Sequence, residues 1–364
     1  MIGICWGVSV SCCLAGPTEL TFHGTADLSA AVFVDNEHFA AADDESNILR
    51  VYHTNDTSKP AFMLDLNAFL QPDPEHPEAD IEAAARIGDT IYWITSHGRN
   101  KNGKLRLSRY RFFATEIKYD NTGDKRTFSG LVPIGSPCST LIDQFLPQAT
   151  AVQLNLQSAV QKNRELSKNE REKLAPKEKG LNIEAMAALP ESNTLLIGLR
   201  NPLFNSAKNG PKKAILFELL NPQDVIEGKA ARFGRVFRWD LGNRGLRSLE
   251  YDPYRQQFYL IAGAIDSETT SALFICDGKA EQPSPKIYEW PESERSITPE
   301  AIAIHPNERS LWIFSDDGTL EIPVNAVTDC MDGELLESGE CPNKYLTDDL
   351  RKTFRVQIFD PNEF

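Results

Sequence analysis

A strand-turn-strand phrase recurs along this chain, and it restricts the fold more than any other feature of the sequence. Its clearest copy is Gly180-Leu-Asn-Ile-Glu-Ala-Met-Ala-Ala-Leu-Pro-Glu-Ser-Asn-Thr-Leu-Leu-Ile-Gly-Leu-Arg200, an apolar strand entered through Glu184, a polar turn and a second apolar strand ending at Arg200. The phrase returns at Asp80 to Thr95, with Glu82 in the place of Glu184, and at Arg247 to Ala262, with Glu250 in that place. A fourth copy runs from Thr298 to Phe314 with Glu300, and an opening copy from Asp27 to Ala42 carries Ser29 instead. Self-similarity at a period of roughly 40 to 60 residues in strand-forming sequence is the signature of a β-propeller. The expected fold is all-β, a single propeller of five blades with four strands each.

A chain of 364 residues would suit two domains on length alone, but one propeller accommodates that length, and the repeats decide the matter. The net charge of -14 excludes nucleic acid and anionic membrane as general partners, since there is no surplus of cations to displace counterions. A cationic ligand or a bound metal fits that charge better. Residues 1–16 are apolar, too short to span a bilayer and end in small residues, although no Lys or Arg stands at their front. They are read as a signal-like leader, which makes 17–364 the propeller and places the protein in the bacterial periplasm or outside the cell. Cys330 and Cys341 flank a short polar loop of the kind a disulfide staples, while Cys138 and Cys276 read as buried thiols.

Taken in order, Thr18 to Phe22 alternates and suits an edge strand that completes the ring. In the second unit the alternation of Lys104, Arg106 and Ser108 with Leu105 and Leu107 predicts a long third strand over 104–115. Residues 138–180 break the period. They read as a helix over 139–160, with Leu141, Phe145 and Leu146 on one side, followed by a Lys/Glu-rich, partly mobile run; a hidden sixth blade is the alternative. The fifth unit is expected to take its third strand from 320–324 and its outer strand from 354–359.

The inner strand of each propeller blade lines the central channel, so Ser29, Glu82, Glu184, Glu250 and Glu300 are expected to face one another. Converging carboxylates repel and need neutralising. A hard cation such as Ca2+, with its six to eight oxygen ligands, is one solution. Salt bridges to Arg86, Arg200, Arg244 or Arg247 are the other. The second strands run out into polar loops that gather at one channel mouth: Asp43-Asp-Glu45, Ser96-His-Gly-Arg99, Arg200-Asn201, Gly263-Ala264 and Ser315-Asp-Asp317. There His97 is either a general acid-base group or a turn histidine bonded to a carbonyl. Arg99 and Arg200 would clamp an anion, with Asp43, Asp44 and Asp316 beside them. Lys104, Arg106, Arg109 and Arg111 form either a phosphate patch or a solvated outer strand.

The stretches Asp80-Ile-Glu-Ala-Ala-Ala with Tyr92 to Arg99, Leu181-Asn-Ile-Glu-Ala with Ile197 to Leu203, and Ala231 to Gly234 with Asp240 to Ser248 resemble an uncharacterised family of bacterial proteins classed as a domain of unknown function. That resemblance covers most of the chain and implies no activity. The stretch Leu28 to Glu45 is similar to the opening blade of calcium-activated nucleotidases (apyrases), five-bladed propellers whose channel Ca2+ is held by serine and glutamate at blade starts. Propeller phytases share the plan. By this likeness Ser29, Glu82, Glu184, Glu250 and Glu300 would be ligands of a Ca2+ ion, and the activity would be hydrolysis of a phosphorylated or other anionic small molecule. The alternative is a non-enzymatic, monomeric propeller that binds a small molecule or protein at its mouth, with a structural ion or an arginine-glutamate network in the channel.

Overall fold

The computed structural model describes residues 17–122, 125–162, 164–176, 179–189, 191–205, 210–266, 270–278, 284–291, 293 and 296–364. The leader expected at 1–16 lies outside the described residues. Five antiparallel sheets stand radially around one axis, each running outward from an inner strand. Blade 1 uses Leu28–Phe33, His38–Asp43, Ile48–His53 and Phe62–Asp65, and blade 2 uses Ile81–Ile87, Thr90–Thr95, Phe112–Thr122 and Lys125–Cys138. Blade 3 uses Asn182–Leu189, Thr194–Asn201, Lys212–Leu219 and Phe233–Trp239, with the short Phe204–Asn205 added at one end. Blade 4 uses Gly245–Asp252, Gln257–Gly263, Ser271–Cys276 and Lys286–Glu289.

Blade 5 closes the ring with both ends of the chain. Its order from the axis is Pro299–Ile304, Leu311–Ser315, Thr353–Phe359 and then Thr18–His23. Phe22 lies opposite Phe354, stacked at 5.4 Å, and its edge meets Phe39 and Tyr52 of blade 1 at 5.2 and 5.6 Å. One aromatic side chain thus joins the closing strand to two blades, the rings lying at the separations that aromatic pairs prefer. The strand expected at 320–324 is no part of the blade. Pro323 lacks an N–H for a central ladder, and Glu321–Pro323 instead forms a two-stranded ribbon with Glu340–Pro342. That ribbon carries the Cys330–Cys341 disulfide.

Crowding at the axis explains the composition of the inner strands. Converging sheets leave room only for small side chains, and Ala30, Ala31, Ala83, Ala85, Ala185, Ala187, Ala301 and Ala303 are all at most 5% exposed. Farther out the sheets diverge and larger residues fill the gaps between blades, among them Trp93, Phe113, Trp239 and Phe314.

Two expectations for blade 2 and its sequel need correction. The strand predicted over 104–115 begins at Phe112, because the preceding residues close a 3-10 turn at Leu107–Arg109. Lys104, Arg106, Arg109 and Arg111 therefore belong to a loop and not to one solvated strand face. The single helix expected over 139–160 is three short ones, Leu141–Phe145, Ala149–Gln153 and Gln157–Val160. Pro147 cannot continue the first, and Asn155 takes a left-handed φ of 55° between the second and third. Leu141, Ile142, Phe145, Ala151, Leu156 and Val160 are buried between blades 2 and 3, so this insertion is packed core.

Candidate functional site

Each inner strand begins with an irregularity at the same place. In the pairing with its neighbour one residue is skipped: Ser29 between Leu28 and Ala30, Glu82 between Ile81 and Ala83, Glu184 between Ile183 and Ala185, Arg247 between Leu246 and Ser248, and Glu300 between Pro299 and Ala301. A bulge turns the extra side chain out of the alternation, and all five of these line one cavity of about 850 Å³ at the channel mouth. The fourth member is Arg247. Glu250, expected there, lies three residues further on, paired with Tyr259. It shares a strand face with Ser248, whose Oγ accepts from Ile302 N of blade 5 at 3.1 Å, so Glu250 faces that blade and does not line the cavity. Burial, reinforced by Asp252, pushes its carboxyl up to about 8.

Two arginines hold the ring together. Glu184 is 3% exposed; its Oε1 accepts from Arg200 Nη1 at 2.9 Å and from Asn182 Nδ2 at 2.5 Å. Arg247 Nη1 lies 3.4 Å from Glu184 Oε2 and 2.5 Å from Glu300 Oε1. Burial raises the Glu300 carboxyl to about 7 even though Arg247 opposes the rise. Ser29 Oγ donates to Ile81 O of blade 2 at 2.5 Å, which spends its hydroxyl hydrogen on stitching two blades together. The other arginines considered for the ring are occupied elsewhere: Arg86 with the Val34 and Gly88 carbonyls, Arg244 with Glu289 at 2.7 Å.

Glu82 is the exception. It makes no hydrogen bond or ion pair among the described residues, and burial, then Asp80, Glu184 and Asp44, raise its carboxyl well above the usual range. Asp44 and Asp316 line the cavity beside it. The Asp44 Oδ1 atom is buried without a hydrogen-bond partner, and burial followed by Asp316 and Asp43 pushes its carboxyl strongly up. Asp316 accepts from Gly318 N at 3.0 Å and is also raised, chiefly by burial. Asp43 sits apart: it accepts from Thr25 Oγ1 and from Glu45 N, forms the turn and does not line the cavity.

A second tier escaped the sequence reading. Two residues before four of the five bulges stand Asp27, Asp80, Asn182 and Thr298, and all four line the cavity. The phrases Asp-Leu-Ser, Asp-Ile-Glu, Asn-Ile-Glu and Thr-Pro-Glu carried that signal. Arg109 donates to Asp80 Oδ2 at 2.9 Å and to Glu78, so this expected outer-strand cation belongs to the mouth. Burial, then Asp316 and Asp43, raise Asp27 to about 8; Lys344 from the disulfide excursion opposes this at 3.9 Å and pairs with Glu45 at 2.7 Å.

His97 and Arg99 lie away from this cavity. His97 is fully buried, its Nδ1 2.9 Å from Thr95 O and its ring against Tyr110 at 5.4 Å, and burial lowers its pKa to about 4. Arg99 donates to the carbonyls of Gly103, Val160 and Gln161, so it fastens the helical insertion to blade 2. Neither can position a ligand in the channel.

The five-membered ring does not suit a hard cation. A guanidinium stands at the fourth position, and two of the three glutamates already pair with arginine. What the mouth offers is a divided cavity. One half is neutralised by Arg200 and Arg247, and the other carries Asp44, Glu82 and Asp316, whose carboxyls burial and mutual repulsion hold above the usual range.

No helix among the described residues is long and apolar enough to cross a membrane. No curated protein matches the sequence. Among solved structures, a glucose dehydrogenase is 8% identical with a TM-score of 0.40, covering 94% of this chain and 100% of its own. The Swd1 β-propeller domain of Myceliophteria thermophila is 9% identical with a TM-score of 0.37, covering 95% and 99%. A sialidase of Trypanosoma rangeli is 11% identical with a TM-score of 0.39, covering 84% of this chain and 44% of its own. The family described as "Protein of unknown function (DUF3616)" matches residues 27–287, and the chain belongs to it.

Proposed function

We propose that this protein is a ligand-binding propeller whose channel mouth takes a small organic cation, with an arginine-glutamate network in place of a channel metal. The observation that carries this reading is the pair Asp44 and Glu82. Both are desolvated carboxylates without a hydrogen-bond or ion-pair partner among the described residues, with Arg109 the nearby cation that acts on both, on the wall of a cavity of about 850 Å³. An ammonium or guanidinium group entering there would relieve carboxylate repulsion and form charge-assisted hydrogen bonds. The chain's net charge of -14 would draw such a ligand in. The Cys330–Cys341 disulfide accords with an exported protein.

Isothermal titration with putrescine tests the reading. Saturable binding, weakened about tenfold by Glu82→Gln and by Asp44→Asn, is the expected outcome, since each change removes one charge-assisted contact. No heat from putrescine, tetramethylammonium or arginine amide at millimolar concentration would refute it.

A Ca2+ ion in the same acidic half, with a phosphorylated or other anionic molecule above it, is the second reading. It is favoured by Arg106 and Lys101 on the cavity wall, neither of which has a carboxylate partner among the described residues. Calcium that raises the melting temperature and is lost to chelator, together with turnover of a phosphoester, would prefer this reading to the first.

A further inference from the structure

A second cavity, also of about 850 Å³, opens on the flank of blade 2 between the helix Asn67–Leu70, the loop that ends at Arg111 and the start of the helical insertion. Its chemistry is the reverse of the channel mouth. No carboxylate lines it, although the chain as a whole carries a charge of -14, and its two ionic residues are Arg111 and Lys162.

Arg111 is fixed rather than floating. Its Nε donates to Leu70 O at 3.3 Å, and its Nη1 to Leu107 O at 3.0 Å and Tyr110 O at 2.9 Å. Nη2 has no partner among the described residues, and no carboxylate pairs with the group. Three carbonyls orient the guanidinium but leave its charge uncompensated, and a charge held half-buried without a counter-ion is costly unless an anion completes it. Lys162 stands 4.4 Å above the Tyr110 ring and shares its charge with Asp143 at 2.7 Å. His97 packs behind Tyr110, its ring kept neutral chiefly by burial, with Lys162 and Arg111 adding to that and Thr95 O and Asp143 opposing it.

The remaining wall is mixed: Gln71, Ser136, Ser139 and Thr140 are polar, and the apolar part is a patch. Phe69 and Leu70 form one side, and Leu107, 55% exposed, stands over the opening. Oriented cation and apolar patch together describe a ligand with two parts.

We infer that this flank cavity is a binding site for a small oxyanion, a carboxylate or phosphate monoester, carrying an apolar body, with Arg111 on the anionic head and Phe69, Leu70 and Leu107 around the body. Two residues singled out in the sequence lie behind this site: His97 packs against Tyr110, and Arg99 fastens the helical insertion. The site is independent of the cation site at the channel mouth.

Phenyl phosphate is the probe, with inorganic phosphate as the head alone and phenol as the body alone, followed by titration calorimetry on the full chain. Saturable binding of phenyl phosphate, tighter than either fragment, is expected. Arg111→Gln weakens it about tenfold or more, as expected for loss of a charged hydrogen-bond donor. Because Arg111 also braces three carbonyls, Leu107→Asp is the second variant; that position is exposed, so folding is kept while a negative charge enters the opening, and binding falls by a similar factor. Glu82→Gln leaves phenyl phosphate affinity unchanged. Absence of saturable phenyl phosphate binding in the millimolar range, or binding that Leu107→Asp does not alter, overturns the inference.

Discussion

Arg247 of blade 4 reaches Glu300 of blade 5 at 2.5 Å, and the same Nη1 lies 3.4 Å from Glu184 of blade 3. One guanidinium therefore neutralises the bulge residues of both adjacent blades, at the position where the fivefold pattern would place another acidic or neutral group. One cation of the ring is thus covalently part of the chain.

Replacing that guanidinium should expose how much depends on it. Arg247→Met leaves two buried carboxylates facing each other and is expected to cost about 3 kcal/mol, the lower end of the range for breaking a buried pair, since the side chain is 13% exposed. Urea denaturation measures it. The double variant Arg247→Met with Glu300→Gln should recover part of the loss, because one orphaned charge is then gone. A cost below about 0.5 kcal/mol for the single change, the size of an ordinary surface substitution, would mean that water rather than Arg247 neutralises the ring.

Stability should fall as pH rises from 6.5 to 8.5. Asp27 and Glu250 are pushed up to about 8, and Glu300 and Glu78 to about 7, mainly by burial. A carboxylate whose folded pKa is raised binds more protons folded than unfolded, so its favourable contribution is fully present only below its unfolded value of about 4, declines as pH climbs, and is gone once pH has passed the folded value. His97 has the opposite sign, with a folded pKa lowered to about 4, but its influence ends near its unfolded value of about 6.5, below this window. Melting curves across 6.5 to 8.5 check the slope, and Glu250→Gln should flatten it. Rising stability over that range would contradict the buried-carboxylate picture. Cation affinity at the mouth should move the other way, strengthening with pH as protons cease to compete.

The blade count and most inner strands were legible because converging sheets impose small apolar residues in a fixed phrase, and sequence records that directly. The identity of the fourth ring residue was not. Leu249-Glu250 imitates Ile183-Glu184, yet the skipped residue is set by pairing with the next strand. Counting back from that strand gives the register: Glu184 precedes the pair to Gly198, Glu300 the pair to Phe314, and Arg247 the pair to Ile261. Apolar alternation likewise misplaced the third strand of blade 2, because Leu105 packs against the core from a loop and Leu107 stands exposed. Lys344 could not have been found from motifs at all. Its place beside Asp27 depends on chain closure, which brings opposite ends of the sequence into one blade.

The disulfide excursion should act on the channel mouth through two consecutive residues. Asn343 is fully buried; its side chain donates to Asp317 O at 3.0 Å and Thr353 O at 2.7 Å and accepts from Thr353 N at 3.1 Å, which ties the excursion to blade 5. Lys344 follows and sends its ammonium over the mouth to Glu45. Closing a loop as short as Cys330 to Cys341 restricts the open chain by about 3 kcal/mol in the chain-entropy estimate. In the Cys330→Ser, Cys341→Ser double variant that restriction disappears, and amide hydrogen exchange should quicken across 327–347 while the inner strands of blades 2 and 3 keep their protection. Loosened Lys344 would no longer cover the acidic half, so putrescine should bind about threefold more tightly, and Lys344→Gln alone should reproduce the gain, since one unit charge near a half-buried site is worth roughly this much. Unchanged exchange in 327–347 would show that Asn343 holds the excursion without the disulfide. Weaker putrescine binding in Lys344→Gln would show that the lysine supports the cation site rather than competing for it.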